Sequence, residues 1–237
     1  MISLVQTKSL LKSTALASAV FMALPAYAAD RLQLSQECEV AIARSALPTR
    51  LRKNASVYAL VGGKYQKVIE GSGPFTCIVE RNHPDSVIPQ CMDAAGVESV
   101  LPAIIDRSNM AISGAAFEAI EAANKKKLDS GHYHPAPRPG VNYMMSDYNY
   151  IFVGSAGQVL KVPPHVMFYA PGLTNDDIGG SFKGMIENVG SPSTFQEGLH
   201  GYMLTYTEHR ADPNEVAQAC EGQLGERPPS FDPFPKG

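Results

Sequence analysis

The chain has 237 residues, with 20 Lys and Arg against 23 Asp and Glu and a net charge of −3. That balance excludes nucleic acid and an anionic membrane surface as main partners, because both demand clustered cations. No G-x-x-x-x-G-K-[ST] phosphate loop, G-x-G-x-x-G turn, H-E-x-x-H helix or C-x-x-C-H haem attachment is present.

The N-terminus carries Lys8 and Lys12 and no acid before Asp30. An apolar run follows over 13–24, then Pro25 and the small-x-small triplet Ala26-Tyr27-Ala28. This order predicts a cleaved signal peptide over 1–28 and a periplasmic or secreted product. The run is too short for the roughly 20 apolar residues of a membrane span. No integral membrane segment is expected once the signal is removed. The remaining length can bury about 70% of its unfolded surface. A single domain over 29–220 is therefore expected, followed by a flexible Pro/Gly-rich tail over 221–237.

The spacing predicts a first helix over 34–47, with Ser35 as cap, Glu37 in the first turn and Pro48 as stop. Three strands follow at 56–61, 64–70 and 75–81, read as an antiparallel meander because the loops between them are short. On the third, Phe75, Cys77 and Val79 share one face, opposite Thr76, Ile78 and Glu80. Glu80 and Arg81 then project to opposite faces and cannot serve each other. Arg81 is expected to pair with a structural acid such as Asp93 or Glu98. The alternative is that it clamps a ligand carboxylate or phosphate.

A helical block covers 94–110, with Pro102 starting or kinking it. A clearer helix spans 114–128, with Ser113 as cap and Glu121/Lys125 as an i, i+4 pair. The basic run Lys125-Lys126-Lys127 fits its C-terminal end. After a Pro-rich loop at 131–140, strands are expected at 141–145, 150–153, 166–170 and 202–207. Strands before and after a helical block give an α+β class with a mainly antiparallel sheet.

Cys38, Cys77, Cys91 and Cys220 are even in number and all lie beyond the leader, as a disulfide framework requires. Four cysteines allow three pairings, which the sequence leaves open. The expected pairing is Cys77–Cys91 with Cys38–Cys220: the first closes a short loop and the second ties the two ends together.

The segments F-x-C-x-V-E-R (75–81) and P-H-x-M-F-x-x-P (164–171), with the Pro-Gly-Val-x-Tyr-Met-Met stretch at 139–145, resemble a family of exported bacterial proteins. The likeness spans roughly residues 50–175. It implies a common fold and supplies no activity, so no catalytic role is carried over from it.

Histidines supply the remaining chemistry. In an extended segment His132 and His134 would face the same side and could hold one cation together. His165 is the expected third ligand, with His200, Glu197 and Asp147 as further donors, and zinc or copper suits such a set. His165 shares a strand face with Met167 and Tyr169. Tyr143, Tyr148, Tyr150, Phe152, Phe168, Tyr169, Tyr202 and Tyr206 concentrate in the second half, as core or as the walls of a pocket. Two functions follow as expectations. The first is non-catalytic binding of a small molecule or metal. The second is a metal-dependent hydrolase-like enzyme using the histidine cluster. Binding is preferred, because no nucleophile, base and orienting group stand at a recognisable spacing.

Overall fold

The computed structural model describes residues 34–208, 214–226 and 228–230, and the expected leader lies outside them. Ser35 accepts a hydrogen bond from the Cys38 N–H and opens α1 (Gln36–Ser45). Glu37 and Glu39 stand in its first turn, where the helix end is positive. Pro48 leads into the short α2 (Thr49–Arg52).

Strands β1 (Ser56–Val61) and β2 (Lys64–Ile69) pair antiparallel through the Gly62-Gly63 turn. The expected meander ends there. Strand β3 (Thr76–Glu80) crosses the start of β1 and lies parallel along its other edge, with Ser56 opposite Thr76. The strap that makes this crossing is held by Gly73 N–H donating to Asn54 O (2.7 Å) and Gly71 N–H donating to Ser56 Oγ (3.0 Å). A Cβ on Gly71 would stand 2.2 Å from Asn54 O, so only glycine allows so close an approach. The bar on short parallel crossovers concerns strands joined directly, whereas β2 intervenes here.

Strand β4 (Ile88–Met92) pairs antiparallel with β3 and sets Cys91 opposite Cys77. Its Pro89 hides it from a sequence reading. The proline is tolerated because β4 meets β5 (Val141–Met144) only through Cys91 and Met92. Strands β6 (Tyr150–Val153) and β7 (Gln158–Lys161) form a separate hairpin. Strands β8 (His165–Tyr169), β9 (Pro192–Gln196) and β10 (Tyr202–Tyr206) complete an eight-stranded sheet in the order β2-β1-β3-β4-β5-β8-β10-β9.

Between β4 and β5 the chain forms α3 (Ala94–Ser99), α4 (Leu101–Ile112) and α5 (Phe117–Asp129). The fold class is therefore α+β. The helical block divides as expected at the proline, with Pro102 in the first turn of α4. Ser113 caps the C-terminus of α4 instead of opening α5. Lys125 pairs with Asp129 (2.7 Å) rather than with Glu121. The remaining helices are short: α6 (Asn175–Ile178), α7 (Phe182–Glu187) and α8 (Asn214–Ala219).

The two faces of the sheet are covered differently. Cys38, Ile42 and Ala43 of α1 pack on Val57, Cys77, Val79 and Cys91, with Val216 of α8 and Cys220 just after that helix closing the core. On the other face Ile78 and Met92 meet Leu101 and Ile104 of α4. Both disulfides lie on the α1 side, and their connectivity is the expected one. Cys38–Cys220 joins α1 to the residue that follows α8, and Cys77–Cys91 bridges β3 and β4. Arg81 is fully buried on the same side, and its partner is Glu39 of α1, not Asp93 or Glu98. Burial pushes the Glu39 carboxyl upward, and the Arg81 guanidinium offsets part of that push. The segment 229–230 lies along the β6–β7 hairpin: Lys161 N–H donates to Pro229 O (2.7 Å), and Ser230 bridges Lys161 of β7 in parallel. Among the described residues no helix is long and apolar enough to cross a membrane.

Candidate functional site

Strand alternation and register together build a floor. On β3, Glu80 faces away from α1, and the pairings Ile78↔Gln90, Met92↔Asn142 and Asn142↔Met167 carry that face across β4, β5 and β8. Met144↔His165, His165↔Tyr206 and Tyr169↔Tyr202 extend it to β10. Above this floor stand Arg107 of α4, Phe117, Glu121 and Asn124 of α5, Phe152 and Leu160 of the β6–β7 hairpin, and Met185 of α7. The space between holds about 870 Å³. Phe182 and Phe195 belong to its lining and are also exposed, Phe195 at 57%, so they mark its mouth. Phe195 stacks on Tyr202 at 5.8 Å between ring centroids.

A polar chain runs along the floor. Arg107 donates from Nε (2.9 Å) and Nη2 (2.6 Å) to Glu80 Oε1. Gln90 Nε2 donates to Glu80 Oε2, and Asn142 Nδ2 donates to Gln90 Oε1 (2.7 Å). The direction of both amides follows from Glu80. A carboxylate only accepts, so Gln90 must turn its NH₂ towards it and its oxygen towards Asn142. Asn142 must then donate, which leaves its own Oδ1 without a partner in a side chain at 0% exposure. Asn124 Oδ1 and the Tyr169 hydroxyl are likewise buried without a partner. The hydroxyl is pressed against α3, where a Cβ on Gly96 would lie 2.1 Å from it.

Charge in the cavity follows from burial and from these partners. Burial works against the Arg107 guanidinium, but the facing Glu80 outweighs it and holds the pKa above its usual value. Burial also pushes the His165 imidazole down, so it is neutral near pH 7. Its Nδ1 lies 2.8 Å from Pro163 O. The neutral ring therefore carries its proton on Nδ1 and presents Nε2 as an acceptor. Burial raises the Tyr202 phenol to about 12.

The expected metal ligands are dispersed. His132 and His134 are exposed on either side of the buried Tyr133, in a bend after α5 rather than on a strand. The His132 ring meets the Tyr133 edge, and the Tyr133 hydroxyl donates to Asp106 (2.6 Å). His134 lies near enough to His200 to help lower its pKa, behind the larger effect of burial. His165 is in the cavity floor, Asp147 pairs with Lys161 (2.5 Å), and Glu197 is exposed. Among the described residues no three His, Cys, Asp or Glu side chains are grouped so as to hold a metal ion.

The tyrosines divide between the two expectations. Tyr169, Tyr202 and Tyr206 line the cavity, whereas Tyr143 faces the α1 side and meets Phe75 edge-on at 5.4 Å. Glu80 was legible as facing away from the Cys77 side, but Gln90, Arg107 and Asn142 were not. The pairing of β3, β4 and β5 brings Gln90 and Asn142 to Glu80, and the packing of α4 on the sheet brings Arg107. No family model, curated protein or solved structure matches the chain.

Proposed function

We propose that this is an exported, non-catalytic binding protein for a small, largely apolar molecule held between the sheet and the α4–α5 layer. One observation carries the reading: a cavity of about 870 Å³ with Met, Leu, Phe and Tyr walls and a few convergent polar groups at its floor. Ligand sites have that size and that mixture. Cavities of this volume are not left behind by ordinary core packing, which reaches the density of organic crystals. The hydrolase-like alternative is the weaker reading, since His132, His134 and His165 do not converge. The basic and apolar leader and the use of every cysteine in a disulfide support export to an oxidising compartment.

The test uses the oxidised mature protein and the neutral fluorescent probe N-phenyl-1-naphthylamine. Saturable blue-shifted emission is expected. Met167→Trp, which fills the centre of the floor, should abolish it while the far-UV circular dichroism is kept. Absence of saturable binding by the unaltered protein, or full binding by a folded Met167→Trp protein, sinks the proposal.

A further inference from the structure

We propose that the bound molecule carries a hydrogen-bond donor, an amine or a hydroxyl, on its apolar body, and that an otherwise matched carboxylate is rejected. This inference rests on the binding reading above and deepens it.

The first observation is the orphaned acceptor. The chain Arg107–Glu80–Gln90–Asn142 is directional, each member donating towards Glu80, and it ends on Asn142 Oδ1, which is buried and has no partner. A buried acceptor left empty keeps the whole cost of its lost hydration, which a ligand N–H or O–H placed there recovers. Asn142 stands in the cavity floor opposite Met167, which also lines the space, so the donor would sit beside that methionine. Asn124 Oδ1, from the α5 side, is a second buried acceptor without a partner. The Tyr169 hydroxyl can donate or accept and does not discriminate between ligands.

The second observation is charge. Among the described residues lining the cavity the carboxylates are Glu80 and Glu121 and the permanent cation is Arg107, already committed to Glu80 through two N–H groups. His165 is neutral and offers Nε2 as an acceptor. A carboxylate entering this space finds no uncommitted permanent cation among the described lining residues, further negative charge from Glu121 at the exposed edge, and an Asn142 Oδ1 that it cannot satisfy. An ammonium or hydroxyl finds that charge and that acceptor complementary. Sites built to bond a polar group discriminate strongly against an analogue that leaves it unpaired.

The experiment measures displacement of N-phenyl-1-naphthylamine from the mature protein by decylamine, 1-decanol and decanoate, which share a chain length. Decylamine and 1-decanol are expected to displace the probe at concentrations about tenfold lower than decanoate, the effect of one well-made buried hydrogen bond. Asn142→Leu should weaken 1-decanol by a similar factor, once each displacement is referred to that protein's own affinity for the probe. Decanoate matching 1-decanol, or an unchanged 1-decanol response in a folded Asn142→Leu protein, overturns the inference. Where that variant does not fold, the ranking in the unaltered protein decides alone. Probe binding without the ranking removes only the donor requirement; no probe binding at all removes the binding reading beneath it.

Discussion

Glu80 and Arg81 show how adjacent residues acquire unrelated roles. Their side chains leave β3 on opposite faces, so Glu80 meets Arg107 directly at the edge of the cavity while Arg81 is sealed against Glu39 under α1. His165 offers a pH handle at the same scale. Its pKa is lowered by burial from 6.5, so below that value the unfolded chain takes up a proton that the folded chain refuses. Stability associated with His165 is therefore intact above 6.5 and is lost as pH falls, by up to about 1.4 kcal/mol per pH unit. Urea unfolding at pH 7.5 and pH 5.5 should show this loss, and His165→Gln should flatten it. An unchanged slope in the variant would assign the acid sensitivity to other groups.

At the scale of elements, the strap between β2 and β3 decides how the sheet begins. It crosses β1 instead of turning back alongside β2, and the Gly71 backbone packs directly on Asn54 and Ser56. Gly71→Ala is expected to destabilise by about 2–4 kcal/mol, the scale of forced overpacking plus strain on the crossing. Gly63→Ala sits at the open turn, where a Cβ meets nothing, and its cost is limited to the positive φ of 77°. Comparing the two denaturant midpoints checks the assignment, and equal losses would show that the strap is not specially tight. The β1–β2 hairpin was legible from its Gly-Gly turn, but the crossing was not. A sequence shows where a chain must turn, whereas which edge of β1 receives β3 depends on a contact between the strap and the residues before β1.

For the whole molecule, the α1-side core is closed by a bond between residues 182 positions apart. In the chain-entropy account a loop of that length contributes about 5 kcal/mol, against about 3 for the 14-residue separation of Cys77–Cys91. Replacing Cys38 and Cys220 together by Ala should therefore lower the unfolding free energy more than replacing Cys77 and Cys91. The reverse order in guanidinium titrations would show that the cross-strand bond, not the end-to-end one, dominates. This arrangement leaves the opposite face of the sheet free of disulfides, and the cavity lies on that face, roofed by α4, α5 and the β6–β7 hairpin.

Local rules were sufficient for the cap at Ser35, the alternation that places His165, Met167 and Tyr169 on one side of β8, and the divergence of Glu80 from Arg81. Each depends on neighbours within a few positions, where backbone periodicity alone sets direction. The partner of Arg81, the separation of His165 from His132 and His134, and the meeting of Glu80, Gln90, Arg107 and Asn142 were decided by the tertiary structure. Those contacts join segments dozens of residues apart, and strand order and register, which no local pattern encodes, choose which side chains face one another.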